Sequence, residues 1–295
     1  MNIAISFNDN YIVPARILID SIAVHNKDVS LWVIYSNLSQ LNIEILRNQT
    51  NEYGWKFFPI RLQERFKTIT ATLPCPMHFS EEMYFRLLLP WILSGCEKVL
   101  YMDCDILVRD ELSELYNTDL GEKLVGAVYD FSIETREDGK HRLGLEGDYY
   151  NSGVQLLNLV GIRNEITEEE MINQIVDIYS KYQLVYPDQD ILNKIYDKKI
   201  QVIDSRYNCS PRPYLIRKLK RPNEVKKSVI VHFITADKPW KKEYCMFYLL
   251  EYWRYLKKYM HTKEKINYWK HKPFIATYFL LVKNKFMQRT AQKGE

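Results

Sequence analysis

The chain has 295 residues, of which 46% are hydrophobic and 26% charged, with 10 Gly and 11 Pro. That composition is ordinary for a globular protein, and with no repeat or low-complexity tract it excludes fibrous and disordered classes and suits one large α/β domain with a short appendage. Charge is unevenly placed: residues 254–295 carry a net +9 against +4 for the whole chain, so residues 1–253 carry −5. An acidic body with no nucleic-acid-binding motif argues against a nucleic-acid partner, and the basic, aromatic tail points to a different partner from the body.

Five cysteines, Cys75, Cys96, Cys104, Cys209 and Cys245, form no Cys-x-x-Cys pair, and their odd number suits reduced thiols in the cytoplasm. The opening MNIAISFNDNY lacks the basic region of a signal peptide and reads as a strand. The most apolar late stretch, 273–282, is ten residues long, where a membrane-spanning helix needs about 20.

In chain order, the apolar run 2–6 predicts a strand that stops at the polar Asn8, Asp9 and Asn10. Helical spacing follows over 14–23, a buried strand over 31–35, a helix over 39–51 and a strand over 56–60. Ser80 is the expected N-cap of a helix through EEMYFRLLLPWIL, and 98–102 (KVLYM) is a short strand ending at Asp103. Strands are expected over 125–129, 154–159, 200–203 and 229–233. Thr167 with Glu170 forms a capping box that opens a helix to about 179, and 189–196 is helical. This alternation predicts a doubly wound, mainly parallel sheet with helices on both faces. The charge balance changes near 235–255, which suggests a body over 1–243 and a helical, basic-aromatic segment over 244–295.

Ligands of open α/β sheets bind beyond the carboxyl ends of strands. Three polar clusters fall there: Asn8 to Asn10, Asp103-Cys104-Asp105, and His232. Carboxylates at i and i+2 converge on one cation where the chain bends leaving a strand. Their oxygens suit Mg²⁺ or Mn²⁺, and an added imidazole favours Mn²⁺. An Asp-x-Asp triplet is also a common solvated turn, so its weight comes from its neighbours.

Those neighbours are YFRLLLP (84–90), KVLYMDCDILV (98–108), YYNSGVQLLNL (149–159), PDQDILN (187–193) and HFITADKPW (232–240), preceded by SFNDNYI (6–12). Over about residues 1–240 this ordered set resembles glycosyltransferase family 8, the retaining group that includes lipopolysaccharide galactosyl- and glucosyltransferases and glycogenin. The resemblance implies a GT-A fold, a UDP-sugar donor and a glycan, glycolipid or glycoprotein acceptor. It implies Mn²⁺ held by Asp103, Asp105 and His232, with Lys238 adding positive charge at the donor phosphates. It also implies that Asn8, Asn10 and Tyr11 hold the base, that Arg86, Cys104 and Ser152 contact the donor, that Asn151, Asp188 and Gln189 line the sugar and its reacting carbon, and that Asp130 is a catalytic-site carboxylate contacting donor or acceptor.

Two positions depart from the family pattern. Asn8 stands where Asp is frequent, and Thr235 replaces a glycine that lets backbone approach phosphate. The residue matching the family's nucleophile position is the amide Gln189, which favours front-face attack over a covalent intermediate. Two other readings stay open: a donor-binding module with lapsed catalysis, and an Asp-x-Asp phosphohydrolase of the haloacid-dehalogenase type. The latter wants Thr or Val where this chain has Leu107. The tail suits the inner face of a membrane, held by anionic headgroups, or else a helix packed on the core with a solvated basic side.

Overall fold

The computed structural model describes residues 1–62, 73, 81–211, 227–234, 238–241 and 248–270. The expected cap at Ser80, the substitution at Thr235, Cys75, Cys245 and the apolar stretch 273–282 lie outside them. The chain forms two compact units, Met1–Ile234 and Thr235–Glu295.

The first unit is built on a seven-stranded sheet in the order β3-β2-β1-β4-β7-β6-β8. Its strands are β1 (Asn2–Ser6), β2 (Ser30–Tyr35), β3 (Lys56–Arg61), β4 (Lys98–Met102), β6 (Val125–Tyr129), β7 (Tyr150–Asn158) and β8 (Ile200–Val202). Neighbours β3-β2-β1-β4 and β6-β8 run parallel, whereas β7 runs antiparallel to both β4 and β6. Alternate residues of β1 enter different cores: Ile3 and Ile5 pack into one cluster with Leu18, Ile22 and Leu46, and Ala4 into another with Leu88, Ile175 and Leu192. Both faces are therefore covered, which is why the strands read as continuous apolar runs.

One face carries α1 (Ile12–His25) and α2 (Gln40–Glu52). The other carries α3 (Phe85–Ile92), α6 (Leu159–Glu165), α7 (Glu168–Lys181) and α8 (Pro187–Ile195). The Thr167–Glu170 capping box forms as expected. The short α4 (Ser113–Tyr116) and the polar α5 (Ile133–Leu143) were not predicted from sequence. A 3-10 turn over Glu81–Tyr84 precedes α3, so the α-helix starts later than the motif suggests.

Strand order reverses at β1 and β4, whose carboxyl ends lie side by side and lead into the Asn8–Asn10 and Asp103–Asp105 segments. Because β7 is antiparallel, with Val154 opposite Met102, residues 151–153 run past the end of β4 rather than away from it. A separate two-stranded ribbon pairs β5 (Ile106–Val108) with β9 (Ile230–His232), and Ile106 faces His232 across it.

The second unit contains α9 (Leu249–Leu256), a 3-10 turn (Lys257–Tyr259) and α10 (Thr262–Lys270). Trp253 stacks on Tyr268 with ring centroids 4.9 Å apart, and the Tyr268 hydroxyl donates to the Pro239 carbonyl. Lys257, Lys258 and Lys263 are exposed. Among the described residues no helix is long and apolar enough to cross a membrane.

Candidate active site

The turn between β4 and β5 directs two carboxylates one way and a thiol the other. Asp103, Asp105 and His232 offer ligand atoms that all lie within 4.8 Å of one another. His232 Nε2 is 3.2 Å from Asp105 Oδ1 and 3.7 Å from Asp103 Oδ2. Its Nδ1 is engaged 2.9 Å from Asn208 Oδ1. A nitrogen aimed at two carboxylate oxygens, with the other ring nitrogen held by an amide, is the donor set expected of a divalent cation site. The residues fit the ion that the sequence pattern implies. Cys104 points away: its side chain lies in the hydrophobic core, with Sγ 3.9 Å from the Ser6 carbonyl.

Arg86 organises the floor of the site. Nη2 donates to Asp103 Oδ1 at 2.6 Å, and Nη1 lies 2.7 Å from the Ser152 carbonyl and 3.3 Å from Asp188 Oδ2. Nε donates to the Met83 carbonyl, and the guanidinium sits 4.6 Å above the Tyr101 ring. Burial opposes its charge, but Asp103, Tyr101 and Asp188 outweigh that and hold its pKa above the usual arginine value. Asp188 shows the reverse balance. Burial raises its pKa, and neither Arg86 nor the Ser152 hydroxyl, 3.0 Å away, fully offsets it.

The opening of α8 carries Asp188 and Gln189, with Pro187 in its first turn, where the missing N–H costs nothing. Asn193, one turn on, accepts from Tyr150 N–H at 2.7 Å and donates to the Tyr150 carbonyl at 2.8 Å, which fastens the helix to β7. Gln189 Oε1 accepts from Asn151 Nδ2 at 3.0 Å, and its Nε2 donates to Asp130 Oδ2 at 3.1 Å. Asp130 leaves β6 and also accepts from Ser132 N–H at 3.1 Å.

At the other end of the site, the Asn8 side chain caps the turn Asp9–Tyr11 by accepting from Asn10 N–H at 3.1 Å. Its Nδ2 donates to the buried Glu82 at 3.2 Å, and Ser36 donates to the other Glu82 oxygen at 2.8 Å. Asn10 is exposed and Tyr11 half-buried. Burial, then the negative charges of Asp105 and Asp103, push the Tyr11 phenol well above its ordinary pKa, so it stays neutral beside the acidic cluster. Lys238 belongs to the second unit, where its carbonyl accepts from Lys241 N–H.

The structure thus brings together Arg86, Asp103, Asp105, Asp130, Asn151, Ser152, Asp188, Gln189 and His232. Sequence reasoning passed over four members of the same network. Tyr101 donates to Asp103 Oδ1, Gly153 touches His232, Asn208 holds the imidazole, and Glu82 holds Asn8. Gly153 lay inside a quoted motif. Asn208 had no local signal, since its partners are distant in sequence.

Comparison with known proteins agrees with this geometry. Residues 2–244 match the profile of Glycosyl transferase family 8. A candidate glycosyltransferase of Haemophilus influenzae is 31% identical over 251 residues, covering 82% of this chain and 74% of the relative. A lipopolysaccharide 1,2-glucosyltransferase of Escherichia coli K12 is 27% identical over 259 residues, covering 82% and 73%. The galactosyltransferase LgtC, solved with donor and acceptor sugar analogues, superposes with a TM-score of 0.74 at 25% identity, covering 88% of this chain and 96% of that one. With a GT-A-type fold and that match over most of its length, the chain belongs to glycosyl transferase family 8 and is a glycosyltransferase.

Proposed function

We propose that the enzyme moves a hexose, galactose or glucose, from a UDP-sugar to a glycan or glycoconjugate acceptor with retention of configuration. The observation that carries this reading is the convergence of Asp103, Asp105 and His232 beside a buried Arg86–Asp188–Gln189 floor. Asp103, Asp105 and His232 would hold Mn²⁺, with Mg²⁺ an alternative for the oxygens. Such an ion supplies Lewis-acid neutralisation of the charge that develops on a departing diphosphate.

The chain's own residues do the rest. Arg86 fixes Asp103 through a charge-assisted bond and stays charged itself. Asn8, Asn10 and Tyr11 lie beyond β1, where a base would rest. Asn151, Ser152 and Asp188 line the sugar. Gln189 carries no nucleophilic lone pair comparable to a carboxylate, which supports front-face attack over a glycosyl-enzyme intermediate. Its carbonyl is held by Ser152 N–H and Asn151 and its amide nitrogen by Asp130, so the direction of its dipole is fixed before any sugar binds. Asp130, tied to Gln189, would contact the donor sugar or the acceptor hydroxyl.

The test is nucleotide release from UDP-galactose and UDP-glucose with and without Mn²⁺. Metal-dependent release of UDP supports the reading, and donor binding with no release from any nucleotide sugar would leave a binding module instead. Gln189→Ala should lower kcat by about 10²-fold or more; unchanged turnover would remove Gln189 from the catalytic set.

A further inference from the structure

The two ends of a side-chain amide differ in role, since one donates and the other accepts. Which end is which is settled by partners whose role is fixed, and backbone N–H groups only donate. Gly153 N–H reaches Asn151 Oδ1 at 3.0 Å, and Ser152 N–H reaches Gln189 Oε1 at 3.1 Å. Asn151 therefore donates through Nδ2 to Gln189, and Gln189 donates through Nε2 to Asp130. A second group 2.8 Å from Asn151 Oδ1, Asn208 Nδ2, must likewise donate. That orients Asn208 and leaves its Oδ1, an acceptor, 2.9 Å from His232 Nδ1. The contact is a hydrogen bond only if Nδ1 carries a proton. All five residues are 6% exposed or less, so bulk water does not supply their partners.

We propose that Asn208 is a positioning residue of the metal centre, the amide through which a one-directional relay fixes the tautomer of His232. Donation runs from His232 Nδ1–H to Asn208, Asn151, Gln189 and finally the Asp130 carboxylate. The ring is thereby locked with Nε2 as its lone-pair nitrogen, facing Asp105 Oδ1 and Asp103 Oδ2. A lone pair among carboxylate oxygens is a repulsive arrangement that a bound cation relieves. The same relay holds Gln189, so the metal end and the sugar end of the site share one scaffold. The inference rests on the reading of Asp103, Asp105 and His232 as metal ligands.

The test separates the two. Full-length, metal-free enzyme with ¹⁵N-labelled histidine rings is examined by nitrogen–proton correlation at a pH where the ring is neutral, with His232→Gln used to assign the signal. The proton should sit on Nδ1 in the wild type. Asn208→Asp keeps an acceptor for that proton and should keep the tautomer, whereas Asn208→Ala should show Nε2–H. In parallel, electron paramagnetic resonance of free Mn²⁺ should give roughly 10- to 100-fold weaker binding for Asn208→Ala and near wild-type binding for Asn208→Asp. Should the alanine variant fail to fold, the wild-type spectrum and Asn208→Asp decide. A wild-type ring protonated at Nε2 overturns the relay whatever the metal does. Wild-type tautomer and wild-type Mn²⁺ affinity in Asn208→Ala overturn the role of Asn208. A wild-type enzyme with Nδ1–H that binds no Mn²⁺ supports the relay and overturns the metal reading beneath it.

Discussion

At position 153 the chain has no room for a side chain. A Cβ would stand 2.1 Å from His232 Cε1 and 2.7 Å from Asp103 Oδ2, while the backbone itself is ordinary strand. Space, not conformational freedom, demands glycine here. Gly153→Ala should push the imidazole off its carboxylate partners and weaken Mn²⁺ binding by about 10-fold or more, at a stability cost of about 1–3 kcal/mol. Titration with Mn²⁺ alongside urea unfolding checks both, and wild-type affinity would show that the ring moves without consequence. Position 8 carries a different lesson. Read alone, Asn8 in place of a carboxylate looks like a lost donor contact. In the fold its amide satisfies the buried Glu82, so an Asp there would set two carboxylates about a hydrogen bond apart. Asn8→Asp should lower the melting temperature at pH 7 and recover at acidic pH, where a shared proton removes the repulsion. A melting temperature independent of pH between the two proteins would contradict this.

Helix α8, which carries Asp188 and Gln189, is held by the charge of the residue that follows them. Asp190 is fully buried in α8 and accepts from Arg142 at 3.0 and 3.1 Å, from the Tyr149 hydroxyl at 2.6 Å and from Val185 N–H at 2.7 Å. Removing it leaves a guanidinium, a hydroxyl and backbone amides without their partner. Asp190→Ala should cost about 3–5 kcal/mol by urea unfolding, against about 1 kcal/mol for Thr167→Ala, which loses one capping interaction on the neighbouring α7. Equal costs would mean that Asp190 is not the anchor of α8. Legibility at this scale followed signal strength. The runs 2–6, 31–35 and 98–102 have unbroken apolar stretches at 3–5, 31–35 and 99–102, and the capping box at Thr167 is local, so all could be read. Strand β5 has three residues and exists through its pairing with β9, more than a hundred positions away. Helix α5 buries only Gly139 and Leu143, too little for a hydrophobic period.

For the molecule as a whole, an ion that binds the folded site and not the unfolded chain stabilises by mass action. Mn²⁺ at about 100 times its dissociation constant should add about 2.7 kcal/mol, removable by chelation. No shift of the unfolding curve with Mn²⁺ would argue against a preformed site. The net +9 over 254–295 also makes a prediction for the full chain. It should co-sediment with vesicles containing anionic lipid, less with neutral ones, and lose that preference in salt of about 0.5 M as charges are screened. Equal sedimentation with both vesicle types would end the membrane reading. By itself the sequence determined the alternation of strands and helices, the family motifs and the candidate residues Asp103, Asp105 and His232 that the fold brings together, because these rest on apolar runs and on chemistry carried by short segments. Tertiary structure alone decided that Cys104 turns into the core, that Gly153 must lack a side chain and that His232 is held by Asn208. These depend on the parallel β1–β4 pairing, an antiparallel β7 and a β5–β9 ribbon, which bring distant positions together, and no local pattern encodes such a meeting.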